Sequence, residues 1–264
     1  MSEQRPAISF RDVSKFYGDS GRAALDNVTL EVREREFLAV VGPSGSGKTT
    51  LLRLINRLTE ADSGVVRVEG EDVRTTDPVL LRRRIGYVFQ GVGLFPHMTV
   101  AENIAITPKL LGWDDARRAA RVDELLDLVR LSGDEYRNRL PAQLSGGQRQ
   151  RVGVARAIAA GPKIVLMDEP FGALDPLTRD ALAEDYRRLH DALGLTTVMI
   201  THDTLEAMLL ADRIAVIRDG RIVALGTPQE LAGADQNEYV RELMAMPRRQ
   251  AGRLGALLGQ PGSA

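Results

Sequence analysis

The residues best equipped for chemistry stand in stretches far apart in the chain. The first stretch is GPSGSGKTT, Gly42 to Thr50, which fits the pattern G-x-x-x-x-G-K-[ST] at Gly42, Gly47, Lys48 and Thr49. Small residues here (Gly42, Pro43, Ser44, Gly45, Ser46, Gly47) let backbone N–H groups close around phosphate oxygens. A helical pattern, TTLLRLINRL, begins at Thr49 and Thr50, and its N-terminal dipole favours the same anion. Lys48 would reach the β- and γ-phosphates of a nucleotide, and the Thr49 hydroxyl would hold Mg²⁺. The second stretch, IVLMDEP, is an apolar run that delivers Asp168 and Glu169 at its end. Two acids after a strand are often only solvated. Downstream of a phosphate loop they have work to do: Asp168 to bind Mg²⁺, directly or through water, and Glu169 to polarise an attacking water. The third stretch, QLSGGQRQR, is a Ser-Gly-Gly turn opening into a helix. It is a second anion cradle about a hundred residues from the first, and one nucleotide does not need two.

Single residues join these stretches. His202 follows the apolar run TTVMI, and parallel strands end on the sheet edge where α/β proteins bind ligands, so His202 falls near the γ-phosphate. Gln90 ends IGYVFQ, and Tyr17 offers a ring that could stack on a base. In isolation each has an ordinary reading as well: a structural histidine, a solvated amide, a packing tyrosine.

The elements that must position these groups follow from hydrophobic periodicity. ISFRDVSKFY and VTLEVRE alternate apolar and polar residues, as half-buried antiparallel strands do. EFLAVVG reads as a buried strand, and VVRVEGEDV and RRIGYVFQ as two more. Then the pattern turns helical: TVAENIAI, and ARRAARVDELLDLVRL with Val122, Leu125, Leu126 and Val129 on one face. KIVLMDEP and TTVMITH resume the strands, TRDALAEDYRRLHDAL and TLEAMLLA are helices, and RIAVIRDGRIVALG is a hairpin turning at Asp219-Gly220. PQELAG and NEYVRELMAM close the pattern as short helices. The fold class is α/β, a parallel-sheet nucleotide-binding core with an N-terminal antiparallel β subdomain. One domain spans 1–243 with a helical insertion over about 92–160. A Gly- and Arg-rich tail over 244–264 is expected to be partly disordered, or else a surface-binding helix.

Composition narrows the function. A net charge of −1 argues against a bulk electrostatic partner such as nucleic acid. The absence of cysteine excludes disulfides and thiolate metal sites and is compatible with the cytosol. The N-terminus has no apolar core for a signal peptide, and no run approaches the ~20 residues of a membrane span. If the protein works at a membrane, other subunits hold it there.

Together these residues resemble the nucleotide-binding subunit of an ATP-binding-cassette (ABC) transporter, from about Ile8 to Leu231 and in the family's order. Tyr17 is similar to the aromatic A-loop, Gly42 to Thr50 to Walker A, and Gln90 to the Q-loop. Leu144 to Gln148 are similar to the LSGGQ signature, Ile164 to Glu169 to Walker B, Ala173 to Asp175 to the D-loop, and His202 to the H-loop. The resemblance implies a P-loop (RecA-like) core, ATP and Mg²⁺, and a head-to-tail homodimer. In that dimer Ser145, Gly146, Gly147 and Gln148 of one copy close on the nucleotide held by the other, which explains the second cradle. It further implies nucleotide contacts from Tyr17, Gln90 and Asp175, Mg²⁺ contacts from Thr49, Gln90 and Asp168, Glu169 as general base, and catalytic roles for His202 and Lys48. The implied partners are membrane permease subunits and, indirectly, a substrate-binding protein, with the chain peripheral on the cytoplasmic face of the cell membrane.

The wording from Leu81 to Trp113, and from Thr201 to Gly233, is similar to importers of quaternary amines such as glycine betaine, choline and carnitine. Importers of polar amino acids or methionine share much of it. Many osmoprotectant subunits continue into paired CBS modules, whereas about thirty residues follow the last cassette element here. Readings from other classes are a non-transport ATP switch with a soluble partner and a P-loop kinase, which would leave LSGGQ unexplained.

Overall fold

The computed structural model describes residues 6–18, 23–233 and 237–257. In chain order the elements are β1 (Ile8–Phe16), β2 (Ala23–Val32), β3 (Phe37–Val41), α1 (Lys48–Ile55), β4 (Ser63–Val68), β5 (Glu71–Asp72), α2 (Pro78–Arg84) and β6 (Ile85–Val88). Next come α3 (Val100–Leu110), α4 (Asp115–Leu128), α5 (Gly133–Tyr136), a 3₁₀ turn at Pro141–Gln143 and α6 (Gly146–Ile158). The remainder is β7 (Ile164–Asp168), α7 (Pro176–Leu193), β8 (Thr196–Ile200), α8 (Thr204–Leu210), β9 (Arg213–Arg218), β10 (Arg221–Gly226), α9 (Pro228–Leu231) and α10 (Glu238–Leu257).

Two sheets form. An antiparallel sheet runs β2-β1-β4-β5, and a six-stranded sheet runs β10-β9-β3-β8-β7-β6, parallel except for the β9-β10 hairpin. Every residue of β3 is buried because both faces of the second sheet are covered, which is why its sequence is a continuous apolar run. Phe37, Ala39, Val41, Val165, Met167 and Met199 pack on one face, with the apolar stripes of α3, α4, α6, α7, α8 and α10. Leu38, Val40, Ile164, Leu166, Val198 and Ile200 pack on the other, with α1 and the antiparallel sheet. The parallel strands β3, β6, β7 and β8 therefore deliver their C-terminal residues to one edge.

The expected helical insertion is α3 to α6. Val122, Leu125 and Leu126 are its buried stripe, and Thr99 with Glu102 forms the capping box that starts α3. The β9-β10 turn uses Asp219 and Gly220, both at positive φ, as the hairpin signal requires.

Several elements differ from the sequence reading. RRIGYVFQ is not one strand: its arginines belong to α2, started by Asp77 as N-cap and Pro78 in the first turn, and the strand ends at Val88. Gln90 therefore sits in a turn beyond β6 rather than at the strand end. VVRVEGEDV is cut into β4 and β5 by Glu69 and Gly70 at positive φ. NEYVRELMAM opens a longer helix: α10 runs through 244–257 past Pro247, so the boundary expected at 243/244 falls inside it. Val240 and Met244 anchor α10 in the core. The rest of the expected tail, 258–264, lies outside the described residues. Among the described residues no helix is long and apolar enough to cross a membrane.

Candidate functional site: a phosphate loop and the edge of the parallel sheet

β3 ends at Val41 and the chain turns into the loop Gly42–Gly47 before α1. Gly47 has φ 106°, and a Cβ there would lie 2.2 Å from the Ala24 carbonyl oxygen, so only glycine fits. A Cβ on Gly42 would meet the Ile217 carbonyl oxygen at 2.1 Å. Pro43, Ser44 and Gly45 are exposed at the tip, and Thr50 is half-buried. Ser46 is 3 % exposed, and its Oγ has no partner among the described residues: a buried hydroxyl set to meet an oxyanion.

Lys48 Nζ spans the loop, donating to the Gly42 and Pro43 carbonyls at 2.8 and 2.9 Å. Burial draws the ammonium down from its ordinary pKa, opposed by the charges of Glu169 and Asp168, so all three share one local field. Burial also pushes the Asp168 carboxyl up, as does Glu169, against the pull of Arg53, a hydrogen bond from Thr49, and Lys48. The desolvation of Tyr87, helped by Asp168, raises that phenol as well. Thr49 and Asp168 are thus paired where a cation would sit. Among the described residues no group of three or more His, Cys, Asp or Glu could cage a metal. Thr49 and Asp168 are hard oxygen donors, the kind that a divalent cation such as Mg²⁺ would take beside substrate phosphates.

Glu169 follows β7 with φ 45°, tied by its N–H to the Ile200 carbonyl of β8 at 3.0 Å. Its Oε2 accepts from Gln90 Nε2 at 3.3 Å and lies 3.2 Å from His202 Nδ1. Three strand ends, β6, β7 and β8, thereby bring Gln90, Glu169 and His202 together. The His202 side chain remains 62 % exposed, open to a ligand.

The signature lies away from the phosphate loop, on the side of Gln90, Glu169 and His202. Ser145 caps α6: its Oγ accepts from the Gln148 N–H at 3.2 Å, while Gln148 Oε1 accepts from the Ser145 N–H at 2.8 Å. Gln148 Nε2 donates to Tyr136 at 3.0 Å, so that side chain is committed to structure. The Ser145 hydroxyl keeps its own hydrogen for a further acceptor. Gly146 lines a cavity of about 270 Å³ with Gln90, Arg149, Gln150, Glu169, Leu174 and His202, and no residue of the phosphate loop lines it. Asp175 caps α7, its carboxyl drawn down by the Thr178 hydroxyl and N–H. Tyr17, 48 % exposed beyond β1, has the Lys15 ammonium 5.5 Å from its ring.

Sequence reasoning missed two cations. Arg53 acts on Asp168, and its i, i+4 spacing from Thr49 on α1 was the available signal. Arg156, buried on α6, holds the loop after Gln90. Its partners are backbone carbonyls more than sixty residues away, which no local pattern announces.

Residues 25–172 match the profile of a family described as ABC transporter. The chain is 49 % identical over 241 residues to the glycine betaine/carnitine/choline transport ATP-binding protein OpuCA of Bacillus subtilis (strain 168), covering 91 % of this chain and 63 % of that protein. It therefore spans less than two thirds of that relative's length. It is 48 % identical over 235 residues to the glycine betaine uptake system ATP-binding protein YehX of Escherichia coli (strain K12), covering 89 % of this chain and 75 % of that one. Its fold is similar, at TM-score 0.74 and 34 % identity over 83 % of this chain and 98 % of the other, to the dimeric post-hydrolysis structure of the ATP-binding cassette MJ0796 bound to ADP and Pi.

Proposed function

The chain belongs to the ABC transporter family, and on that premise we propose that it is the ATP-hydrolysing subunit of a multi-subunit importer of quaternary amines of the glycine betaine and choline type. The observation that carries the reading is the convergence of Gln90, Glu169 and His202 beside the Lys48, Thr49 and Asp168 group. The backbone of Gly42 to Thr50, the Ser46 hydroxyl and Lys48 hold the triphosphate of ATP, and the Tyr17 ring takes the base. Thr49, Asp168 and Gln90 would hold Mg²⁺, which would supply neutralisation of the phosphate charge. Glu169 takes the proton of the attacking water, Gln90 and His202 fix the Glu169 carboxylate, and the His202 edge contacts the γ-phosphate.

Ser145, Gly146 and Gly147 serve the nucleotide of a second copy. Their N–H groups and the Ser145 hydroxyl head a helix, so they present donors and a favourable dipole to the partner's γ-phosphate. Asp175 stands at the same interface. ATP joins the two copies and hydrolysis parts them, and this cycle moves the permease. A cavity of about 370 Å³ lined by Tyr87, Phe89, Phe95, Ile106 and Leu110 receives a short cytoplasmic helix of that permease. Phe89, Phe95 and Leu110 are exposed, as a docking groove requires. Attachment through the permease makes the chain peripheral on the cytoplasmic face, and a substrate-binding protein hands over the cargo.

The test is uptake of labelled glycine betaine and choline at high osmolarity, in cells with and without this gene. Uptake that falls on deletion, and returns with the wild-type gene but not with Lys48→Ala, supports the reading. Uptake that never falls, in a strain stripped of other quaternary-amine systems, refutes the cargo.

A further inference from the structure

Gln90 is followed by three residues in the left-handed region: Gly91 at φ 74°, Val92 at 70° and Gly93 at 55°. For glycine this costs little, but for a β-branched valine it is a genuine outlier. Strain of that kind persists only where the surroundings over-determine it. Here the surroundings belong to α6, the helix that begins with the signature. Arg156 Nη2 donates to the Val92 carbonyl at 2.8 Å, and Nη1 to the Gly93 carbonyl at 2.7 Å. The Val92 side chain packs where α6 has no Cβ: a Cβ on Gly153 would lie 2.8 Å from Val92 Cγ1. Gln150, one turn nearer the signature, lines the cavity that Gln90 and Glu169 also line.

Arg156 is 7 % exposed, and among the described residues its guanidinium bonds only the two loop carbonyls, with the Phe89 ring 5.9 Å away. A buried cation whose bonds go to carbonyls is an expensive way to hold a loop if the loop only has to pack. A planar fork that takes two successive carbonyls does fix the direction of the chain that enters them, and a lysine at the same place does not. The residue whose direction is fixed is Gln90, two positions earlier, with its amide 3.3 Å from Glu169.

We propose that Arg156 is a positioning residue for ATP hydrolysis. It grips the left-handed Val92–Gly93 turn, locks that turn into the Gly153 notch, and so makes the loop bearing Gln90 move as one body with the signature helix. The placement of Gln90 against Glu169 then follows the placement of the signature on the partner's nucleotide. This inference rests on the ATPase reading above and adds the link through which one end of α6 reports to the other.

The experiment measures steady-state ATP hydrolysis by the full chain, with melting temperature as the folding control and a fluorescent ATP analogue for nucleotide affinity. Arg156→Lys keeps the charge and loses the fork. It is expected to lower kcat about 10- to 100-fold, as a misplaced catalytic group does, with nucleotide affinity and KM for ATP held within about twofold. Gly153→Ala fills the notch and lowers kcat in the same way. Val92→Gly added to Gly153→Ala removes the colliding Cγ1 at a position where glycine is unstrained, and restores kcat. If Arg156→Lys and Gly153→Ala lower the melting temperature while kcat per folded chain stays at the wild-type value, Arg156 is only structural and the proposal is overturned. If Val92→Gly fails to rescue Gly153→Ala, the notch does not carry the coupling and the proposal is equally overturned. A wild-type chain with no ATP hydrolysis defeats the functional reading itself, a different result from an active wild type with active variants.

Discussion

Two adjacent glycines of the signature separate packing from catalysis. A Cβ on Gly147 would lie 2.5 Å from Thr178 Cγ2, whereas a Cβ on Gly146 would lie 3.5 Å from Leu174 Cδ2, an ordinary contact. Thr178 cannot turn away cheaply, because it is β-branched and its hydroxyl bonds Asp175. Overpacking costs roughly 1–3 kcal/mol, and Gly→Ala within a helix returns roughly 0.5–1 kcal/mol. Gly147→Ala should therefore lose up to about 2.5 kcal/mol, read as a fall of up to about 10 °C in melting temperature for a chain of this size. Adding Thr178→Ser removes the colliding methyl, keeps the hydroxyl and restores the melting temperature. Gly146→Ala should leave it within about 2 °C. ATP hydrolysis sorts differently. In the proposed dimer both glycines let the partner's γ-phosphate approach, so Gly146→Ala and the Gly147→Ala/Thr178→Ser pair should each lose about 100-fold, the order seen when one oxyanion donor is displaced. The assay is phosphate release over a range of protein concentrations, alongside calorimetry. If the double variant regains hydrolysis together with stability, the glycine serves only packing within the chain and the trans-phosphate argument for it fails.

Further predictions concern composition of the site and pH. Lys48→Ala would remove the proposed phosphate contact and Gly146→Ala the proposed approach in trans, so each alone should lose most of its hydrolysis. A mixture of the two should regain hydrolysis, because one of the two shared sites in a mixed dimer is intact; no recovery despite exchange of chains would contradict sharing. Glu206 is buried on α8, and burial raises its carboxyl pKa, with Thr201, Arg179 and His202 pulling the other way and Asp203 adding to the rise. A raised folded pKa gives stability that is complete below the ordinary carboxyl pKa and lost as pH rises through the folded one. Glu206→Gln does not titrate, so its melting temperature should gain on the wild type as pH rises across that window. Each kcal/mol reads as about 2–4 °C, and a constant difference between pH 4 and pH 8 would refute the assignment.

The candidate site was legible where its signals are local. Lys48 and Thr49 are named by their spacing to Gly42 and Gly47, and Asp168, Glu169 and His202 by the apolar runs before them, because buried parallel strands must be apolar on both faces and must end on one edge. Boundaries were harder. The arginines of α2 continue into the apolar run of β6 without a break in pattern, and only the Asp77-Pro78 start signal separates them, while Glu69-Gly70 hides a turn inside an alternating run. Gln90 continues the pattern of a strand that ends two residues earlier, because Phe89 extends the apolar run past Val88. Arg156 could not be read at all, since its role depends on a left-handed turn whose carbonyls only the fold brings to it. The close approach of Gly147 to Thr178 is likewise a property of the fold, which the signature pattern does not separate from the proposed phosphate contact.

The central claim is that the second cradle exists for a partner's nucleotide. Glu169→Gln removes the base while leaving an amide that Gln90 and His202 can still hold, so ATP binds and is not cleaved. Light scattering of this variant should give a monomer without nucleotide and a stable dimer at saturating ATP and Mg²⁺, reverting to monomer when ADP replaces ATP. A monomer at saturating ATP and Mg²⁺, with nucleotide binding demonstrated in the same sample, would contradict the account.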